Sequence, residues 1–269
     1  VTGPPPVVCC DLDGVLWLGD EPIPGAAAGV EQLEAAGLPV GYLSNNSSHT
    51  IEEVVDKLRR CGVVTTPDRV LTSALAAADL LAGSVAAGER VLACAGPGVV
   101  EALGAAGFEV VREEPATAVV VGFHRDFDFD ALDRASAAVR AGARLVATNL
   151  DATYPVPGGL LPGAGSIVAA VATASGREPE VAGKPSSAMA EMVRRRLGEH
   201  GVVVGDRPST DGAVATMLGW PFALVLSGVT AAVAPPGGEA VPEPPPPFVG
   251  ADLGALAPVL VAALVSPGR

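Results

Sequence analysis

The chain has 269 residues, 49% of them hydrophobic but only 4% aromatic, which is enough for one large α/β domain or a core with a smaller partner. Its 17 Lys and Arg against 30 Asp and Glu give a formal net charge of −13, which argues against a nucleic-acid backbone or an anionic membrane surface as partner. There is no apolar run of about 18 residues for a membrane span, and the first residues lack a signal-peptide pattern, so the sequence reads as cytoplasmic.

Strand-length apolar runs alternate with helical patterns from the start. "VVCC" at 7–10 predicts a strand, residues 25–36 a helix stopped by Gly37, and "VGYL" at 40–43 a second strand, which is βαβ punctuation. In "TIEEVVDKLRRCG", Thr50 and Glu53 have capping-box spacing, Ile51, Val54, Val55 and Leu58 form an apolar stripe, and Gly62 supplies the stop. "RVLTS" leads into an Ala/Leu-rich helix ending near Gly83.

The cycle then restarts with "RVLAC" at 90–94, "AVVVGF" at 118–123, a helix over 128–141 and "RLVATN" at 144–149. From "EVAGKPSS" onward the first rhythm returns, with a helix over 186–197, "GVVVGD" at 201–206, a helix from Thr210 and "FALVLSG" at 222–228. The middle block therefore reads as an insertion. The fold expected is α/β, a doubly wound, mostly parallel, Rossmann-like sheet at 1–83 and 182–269 with a smaller α/β cap at 84–181. The proline-rich stretch 234–247 predicts a surface loop, neither helix nor central strand, before a terminal helix over 251–265. Cys9, Cys10, Cys61 and Cys94 show no CxxC spacing; Cys9 and Cys10 would face opposite sides of a strand as small buried hydrophobes.

Polar residues gather where these strands end. Asp11 and Asp13 close the first and, two apart in extended chain, share a face. Ser44, Asn45 and Asn46 follow the second, Lys184 follows "EVAG", and Asp206 follows "VVVG". Taken singly, each could end a strand or cap a helix. Together they describe one pocket at the carboxyl ends of a parallel sheet. Two carboxylates about 4 Å apart repel by roughly 4 kcal/mol at an effective dielectric of 20, so a cation must sit among them. An all-oxygen donor set suits Mg²⁺, which binds few carboxylates with waters and phosphate oxygens.

In this order and spacing, "DLDGVLW", "LSNNSS", "GKPSS" and "GDRPSTD" resemble the four motifs of the haloacid dehalogenase superfamily. The chain is similar in particular to the branch with an α/β cap between the second and third motifs, the nitrophenylphosphatase, phosphoglycolate and glycerol-3-phosphate phosphatase group. The stretch "TNLDATYPVPGGLLPGAGS" also resembles that branch's cap. His49 departs from the Arg often found there, and the proline-rich stretch is longer and stiffer than the resemblance calls for.

The resemblance implies a Mg²⁺-dependent phosphatase for a small phosphate monoester of the glycerol 3-phosphate or phosphoglycolate type. Asp11 would be the nucleophile, forming an aspartyl phosphate, and Asp13 the general acid and base. The metal would be held by the Asp11 carboxylate, the Asp13 carbonyl and Asp206, oriented from behind by Asp211. Ser44, Asn45, Asn46 and Lys184 would bind phosphoryl oxygens. Trp17 would stand at the pocket mouth, and His124, Arg125, Asn149 and Asp151 would face the site from the cap as specificity residues. The partner expected is a small phosphorylated metabolite, with no nucleic acid and no membrane; similar proteins often form homodimers through the cap. His200 and the arginines at 194–196 read as solvated. Two rivals stay open: a silent phosphometabolite sensor on the same fold, and a dehalogenase using the same aspartate.

Overall fold

A computed structural model describes residues 4–156, 159–231 and 238–265. Two all-parallel sheets carry the chain. The larger has six strands in the order Phe248–Gly250, Phe222–Val225, Gly201–Gly205, Val7–Asp11, Val40–Ser44, Val70–Thr72. The smaller has five, in the order Glu180–Val181, Arg144–Ala147, Ala118–Val121, Arg90–Cys94, Glu109–Val111. A parallel sheet covered by helices on both faces needs apolar residues at consecutive positions, which is why "VVCC" and "GVVVG" do not alternate with polar residues.

Val7–Asp11 lies at the centre of the larger sheet, and its side chains divide between two cores. Cys9 joins Met189 and Met192 of the helix Ser187–Leu197 on one face. Cys10 joins Val30 and Leu33 of the helix Ala26–Ala35, and Leu256 of the helix Leu253–Val265, on the other. The opposite-face expectation for the two cysteines holds. All four cysteines are free, and only Cys61 is not buried.

The helix Ser73–Ala82 connects the sheets. Ala74, Ala76, Ala77, Ala78 and Leu81 are buried, and one apolar cluster continues through them from Met189 and Leu43 to Val91, Val120 and Val146 of the smaller sheet. The buried alanines present little bulk to the elements packed against them. The helices Phe129–Arg140 and Ala164–Ser175 cover the other face of the smaller sheet.

Local signals place the main helices as expected. Thr50 accepts from the Glu53 N–H while Glu53 Oε2 accepts from the Thr50 N–H, the predicted capping box of the helix Ile51–Arg60. Asp128 and Ser186 cap the helices that follow them. After Asp206 the chain first makes a π-helical turn, Pro208–Gly212, before the helix Ala213–Leu218; the expected helix from Thr210 starts later. Elements not anticipated are the helix Pro97–Ala105, the strand Glu109–Val111, the hairpin Thr153–Val156 with Gly159–Pro162, the helix Ala164–Ser175, and the edge strand Phe248–Gly250.

Of the proline-rich stretch 234–247, residues 234–237 lie outside the described residues. The rest contains a two-residue strand, Glu239–Ala240, parallel to Thr230–Ala231 and outside the main sheets. Among the described residues no helix is long and apolar enough to cross a membrane.

Candidate active site

The carboxyl ends of the central strands place Asp11 at the end of Val7–Asp11, Ser44 at the end of Val40–Ser44, and Asp206 directly after Gly201–Gly205. Lys184 reaches in from the loop before the helix Ser187–Leu197. Its Nζ lies 2.7 Å from Asp11 Oδ1 and 2.6 Å from Asp211 Oδ1, with all three residues buried. Asp206 completes the group: one carboxylate oxygen from each of Asp11, Asp206 and Asp211 falls within 4.8 Å of the others.

The electrostatics follow from crowding. Burial, reinforced by Asp211 and Asp206 and opposed by Lys184, holds the Asp11 carboxyl well above the usual carboxylate range. Burial and then Asp211 push Asp206 up to about 7, against the Val229 N–H that bonds it. Burial works against the charge on Lys184, but Asp11 and Asp211 overcome it and keep the ammonium protonated. With all three carboxylates ionised against the one ammonium, two negative charges would remain, which a divalent ion would balance. Burial pushes the nearby Cys9 thiol up to about 12 and raises Cys10 as well, so neither offers a thiolate. The donor set is oxygen only, which fits Mg²⁺.

Asp211 is the most committed of the three. Its Oδ1 accepts from Lys184, its Oδ2 accepts from the Arg207 N–H at 3.1 Å, and it is buried. That geometry suits holding neighbours in place. Asp206 has room because of two glycines: a Cβ on Gly14 or Gly228 would overlap its carboxylate, and Gly14 also has φ of +84°. Neither glycine was singled out from the sequence, although Gly14 lies within "DLDGVLW"; Gly228 ends "FALVLSG", away from the four motifs.

Asp11, Asp13, Asn45, Asn46, Lys184 and Asp206 line a cavity of about 1160 Å³ whose other wall comes from the smaller sheet. His124, Arg125, Asn149 and Asp151, expected to face the site, line this cavity. Arg112, Phe123, Tyr154 and Arg207 line it too and were missed. Arg207 could have been found, since it directly follows Asp206, and so could Tyr154, which lies in the quoted cap stretch; Arg112 and Phe123 carry no motif. Arg125 donates to the Tyr154 hydroxyl at 3.3 Å, and Tyr154 meets the Phe123 ring edge-on at 5.3 Å between centroids.

Several expected ligands are otherwise employed. Asn45 spends both amide hydrogens, on Asp151 Oδ2 at 3.0 Å and the Lys184 carbonyl at 2.9 Å, while its Oδ1 accepts the Lys184 N–H at 2.7 Å. Its side chain therefore fixes the lysine loop and is not a free phosphate donor. Asn149 Nδ2 donates to the Asn45 carbonyl at 2.7 Å and its Oδ1 accepts the Asp151 N–H, so it fastens one sheet's loop to the other's. Asn46 Oδ1 braces Ser48. The Ser44 hydroxyl accepts the Asn46 N–H at 3.0 Å, keeping its own proton to donate, and lines a smaller pocket of about 300 Å³ beside Asp13. Trp17 is buried, not at the cavity mouth; its indole N–H donates to Asp13 Oδ1. Further stitches join the two sheets' loops, among them Ser47 Oγ to Thr148 Oγ1 at 3.0 Å and the Ile51 N–H to Glu101 at 3.0 Å.

Comparison with known proteins gives concordant results. Residues 8–109 match the family model described as haloacid dehalogenase-like hydrolase, and residues 181–256 match that described as HAD-hydrolase-like. D-glycerol 3-phosphate phosphatase of Mycobacterium tuberculosis is 41% identical over 249 residues, spanning 91% of this chain and 69% of that protein. Acid sugar phosphatase of Staphylococcus aureus is 34% identical over 223 residues, 82% of this chain and 86% of that one. A crystal structure of the M. tuberculosis glycerol phosphate phosphatase in complex with magnesium superposes with a TM-score of 0.84 at 37% identity, covering 98% of this chain and 81% of that one. With its acidic group at the carboxyl ends of a doubly wound sheet, and with these relatives, the chain belongs to the haloacid dehalogenase-like hydrolase family.

Proposed function

We propose that the protein is a Mg²⁺-dependent phosphatase of small phosphate monoesters that works through an aspartyl phosphate on Asp11, with residues 84–181 as a cap over the site. The observation that carries this reading is the buried Lys184, shared between Asp11 and Asp211 beside Asp206 on the floor of a cavity walled by the second sheet. That arrangement gives a carboxylate nucleophile a fixed direction and surrounds the incoming phosphoryl group with charge of both signs.

The protein is a phosphoric monoester hydrolase, and its residues divide the work as follows. Asp11 attacks phosphorus through the oxygen that Lys184 leaves free, which splits one difficult hydrolysis into two steps. Asp13, held by Trp17, protonates the departing oxygen and then takes a proton from the water that releases phosphate. Lys184 and the Ser44 hydroxyl face the phosphoryl oxygens on which charge is spread. The Asp11 carboxylate, the Asp13 carbonyl and Asp206 would hold Mg²⁺, which when bound would supply positive charge to offset the negative charge of the phosphoryl group. Asn45 and Asp211 keep the lysine where these steps need it. On the cap wall, Arg125 and Tyr154 offer hydrogen-bond donors to a short polyol, sugar or acid leaving group, and His124, whose Nδ1–H faces the Gly122 carbonyl, offers Nε2 as an acceptor, in keeping with relatives named for glycerol 3-phosphate and acid sugar substrates.

The test is p-nitrophenyl phosphate turnover with and without Mg²⁺, followed by a panel of phosphorylated small metabolites. Metal-dependent release of nitrophenolate is expected, with Asp11→Asn folded but inactive and without the one-phosphoryl mass gain that the wild type shows on rapid quenching. Silence of the wild type in every tube would favour a phosphometabolite sensor. A tenth or more of the activity surviving in Asp11→Asn would remove Asp11 as nucleophile.

A further inference from the structure

Glu239 lies in the proline-rich stretch, and no step above uses it. Its backbone N–H donates to the Val229 carbonyl at 3.1 Å, while Val229's own N–H donates to Asp206 Oδ2 at 2.7 Å. Its carboxylate accepts the Ser209 N–H at 3.0 Å and the Ser209 hydroxyl, and lies 4.0 Å from Arg207 Nε. Arg207 and Ser209 belong to the segment between Asp206 and Asp211, which includes the π-helical turn Pro208–Gly212. A closed ring of contacts thus runs from Asp206 through Val229 and Glu239 to Ser209 and Arg207.

Two physical points give this ring a purpose. The first N–H groups of a short helical turn have no partner within it, and a carboxylate is a strong acceptor for one of them. A metal site binds tightly only if its ligands are held before the ion arrives, and loss of an outer partner typically weakens metal affinity by about 10- to 100-fold. Glu239 does not line the cavity, so it meets neither substrate nor the reacting atoms. Arg207, 3.8 Å from Asp151 on its far side, is kept in place by carboxylates at both ends.

We propose that Glu239 is a positioning residue that fixes the Asp206–Asp211 segment and so sets the affinity for the divalent ion. This rests on the Mg²⁺ reading given above. The proline-rich stretch then has a role as the carrier of a clamp on the acidic loop.

The experiment is calorimetric titration of the intact chain with MgCl₂ alone, paired with p-nitrophenyl phosphate turnover across Mg²⁺ concentrations. Glu239→Ala is expected to raise the Mg²⁺ dissociation constant about tenfold, with kcat at saturating Mg²⁺ staying within about threefold of wild type. Glu239→Gln, which keeps an acceptor for Ser209, should recover most of that affinity. Ser209→Ala should shift the same constant in the same direction by a smaller factor, and it carries the test if Glu239→Ala fails to fold. Wild-type Mg²⁺ affinity in the folded variants, or a loss confined to kcat, overturns the inference. A wild-type chain that takes up no Mg²⁺ overturns the parent reading, and the inference with it.

Discussion

The indole N–H of Trp17 donates to Oδ1 of Asp13 at 2.9 Å, and Lys57 Nζ lies 4.4 Å from the centroid of the same ring. The bond occupies one oxygen of Asp13 and sets the carboxylate's orientation, leaving the other oxygen to carry the proton. Trp17→Phe keeps a ring for Lys57 but removes the donor. With an alkyl phosphate, kcat should fall about 3- to 10-fold, a part of what a positioned acid contributes. With p-nitrophenyl phosphate, whose leaving group departs without a proton, the first step, read as the rate of the nitrophenolate burst, should change little. Rapid-quench measurement of the first turnover on both substrates decides the matter, and equal losses in that step would contradict the role given to the bond.

Lys184 cannot be replaced without exposing a charge imbalance. Lys184→Met leaves Asp11 and Asp211 buried without their cation, and breaking a buried pair in this way costs about 3–5 kcal/mol. A clear drop in Tm is expected, together with a loss of about 10²- to 10³-fold in kcat. Lys184→Arg should not rescue activity, because a planar guanidinium does not fit a point between two carboxylates. Melting curves and turnover measured on the same preparations check both statements.

The acidic group also predicts how stability responds to pH in a chelator. Asp206 is pushed up to about 7 and Asp11 is raised as well, by burial first and like charge second, whereas in the unfolded chain both ionise in the ordinary carboxylate range. Folded pKa values above the unfolded ones mean that the folded state retains protons the unfolded state gives up. The stabilisation is complete below about pH 4 and is lost as pH rises through 7. In EDTA, Tm should therefore decline between about pH 5 and 8. A flat or rising Tm over that interval would count against the crowding described here.

Gly228 should tolerate no side chain. The obstacle to a Cβ there is the Asp206 carboxylate itself, so Gly228→Ala must displace a group that the chemistry needs. Activity is expected to fall at least about 100-fold, the scale of an ångström's misplacement, with the circular dichroism spectrum preserved. Gly14→Ala should behave worse, since it adds the same overlap to a backbone at φ of +84°. Wild-type turnover in Gly228→Ala would show that Asp206 is not where activity requires it.

The sequence disclosed those features that depend on periodicity and on strand ends. The capping box at Thr50 and Glu53, the faces of Cys9 and Cys10, and the convergence of Asp11, Lys184 and Asp206 all follow from spacing alone. Features that depend on where a side chain's hydrogens go were not legible. Asn45 and Asn149 stand where a ligand would, yet their amides are spent on joining loops more than 100 residues apart. The helix Pro97–Ala105 was hidden because "GPG" reads as a turn, whereas Gly98 is there because a Cβ would strike the carbonyls of Ser47 and His49. The strand Phe248–Gly250 follows a run of prolines and sits at the sheet edge, where one side needs no hydrogen-bond partner.

The alanine-rich helix Ser73–Ala82 constrains how a substrate gets in. Because the apolar cluster through it is continuous from one sheet to the other, lifting the smaller sheet off as a lid would tear that cluster open and wet it. Any widening of the cavity that keeps this core dry must leave the alanine seam closed.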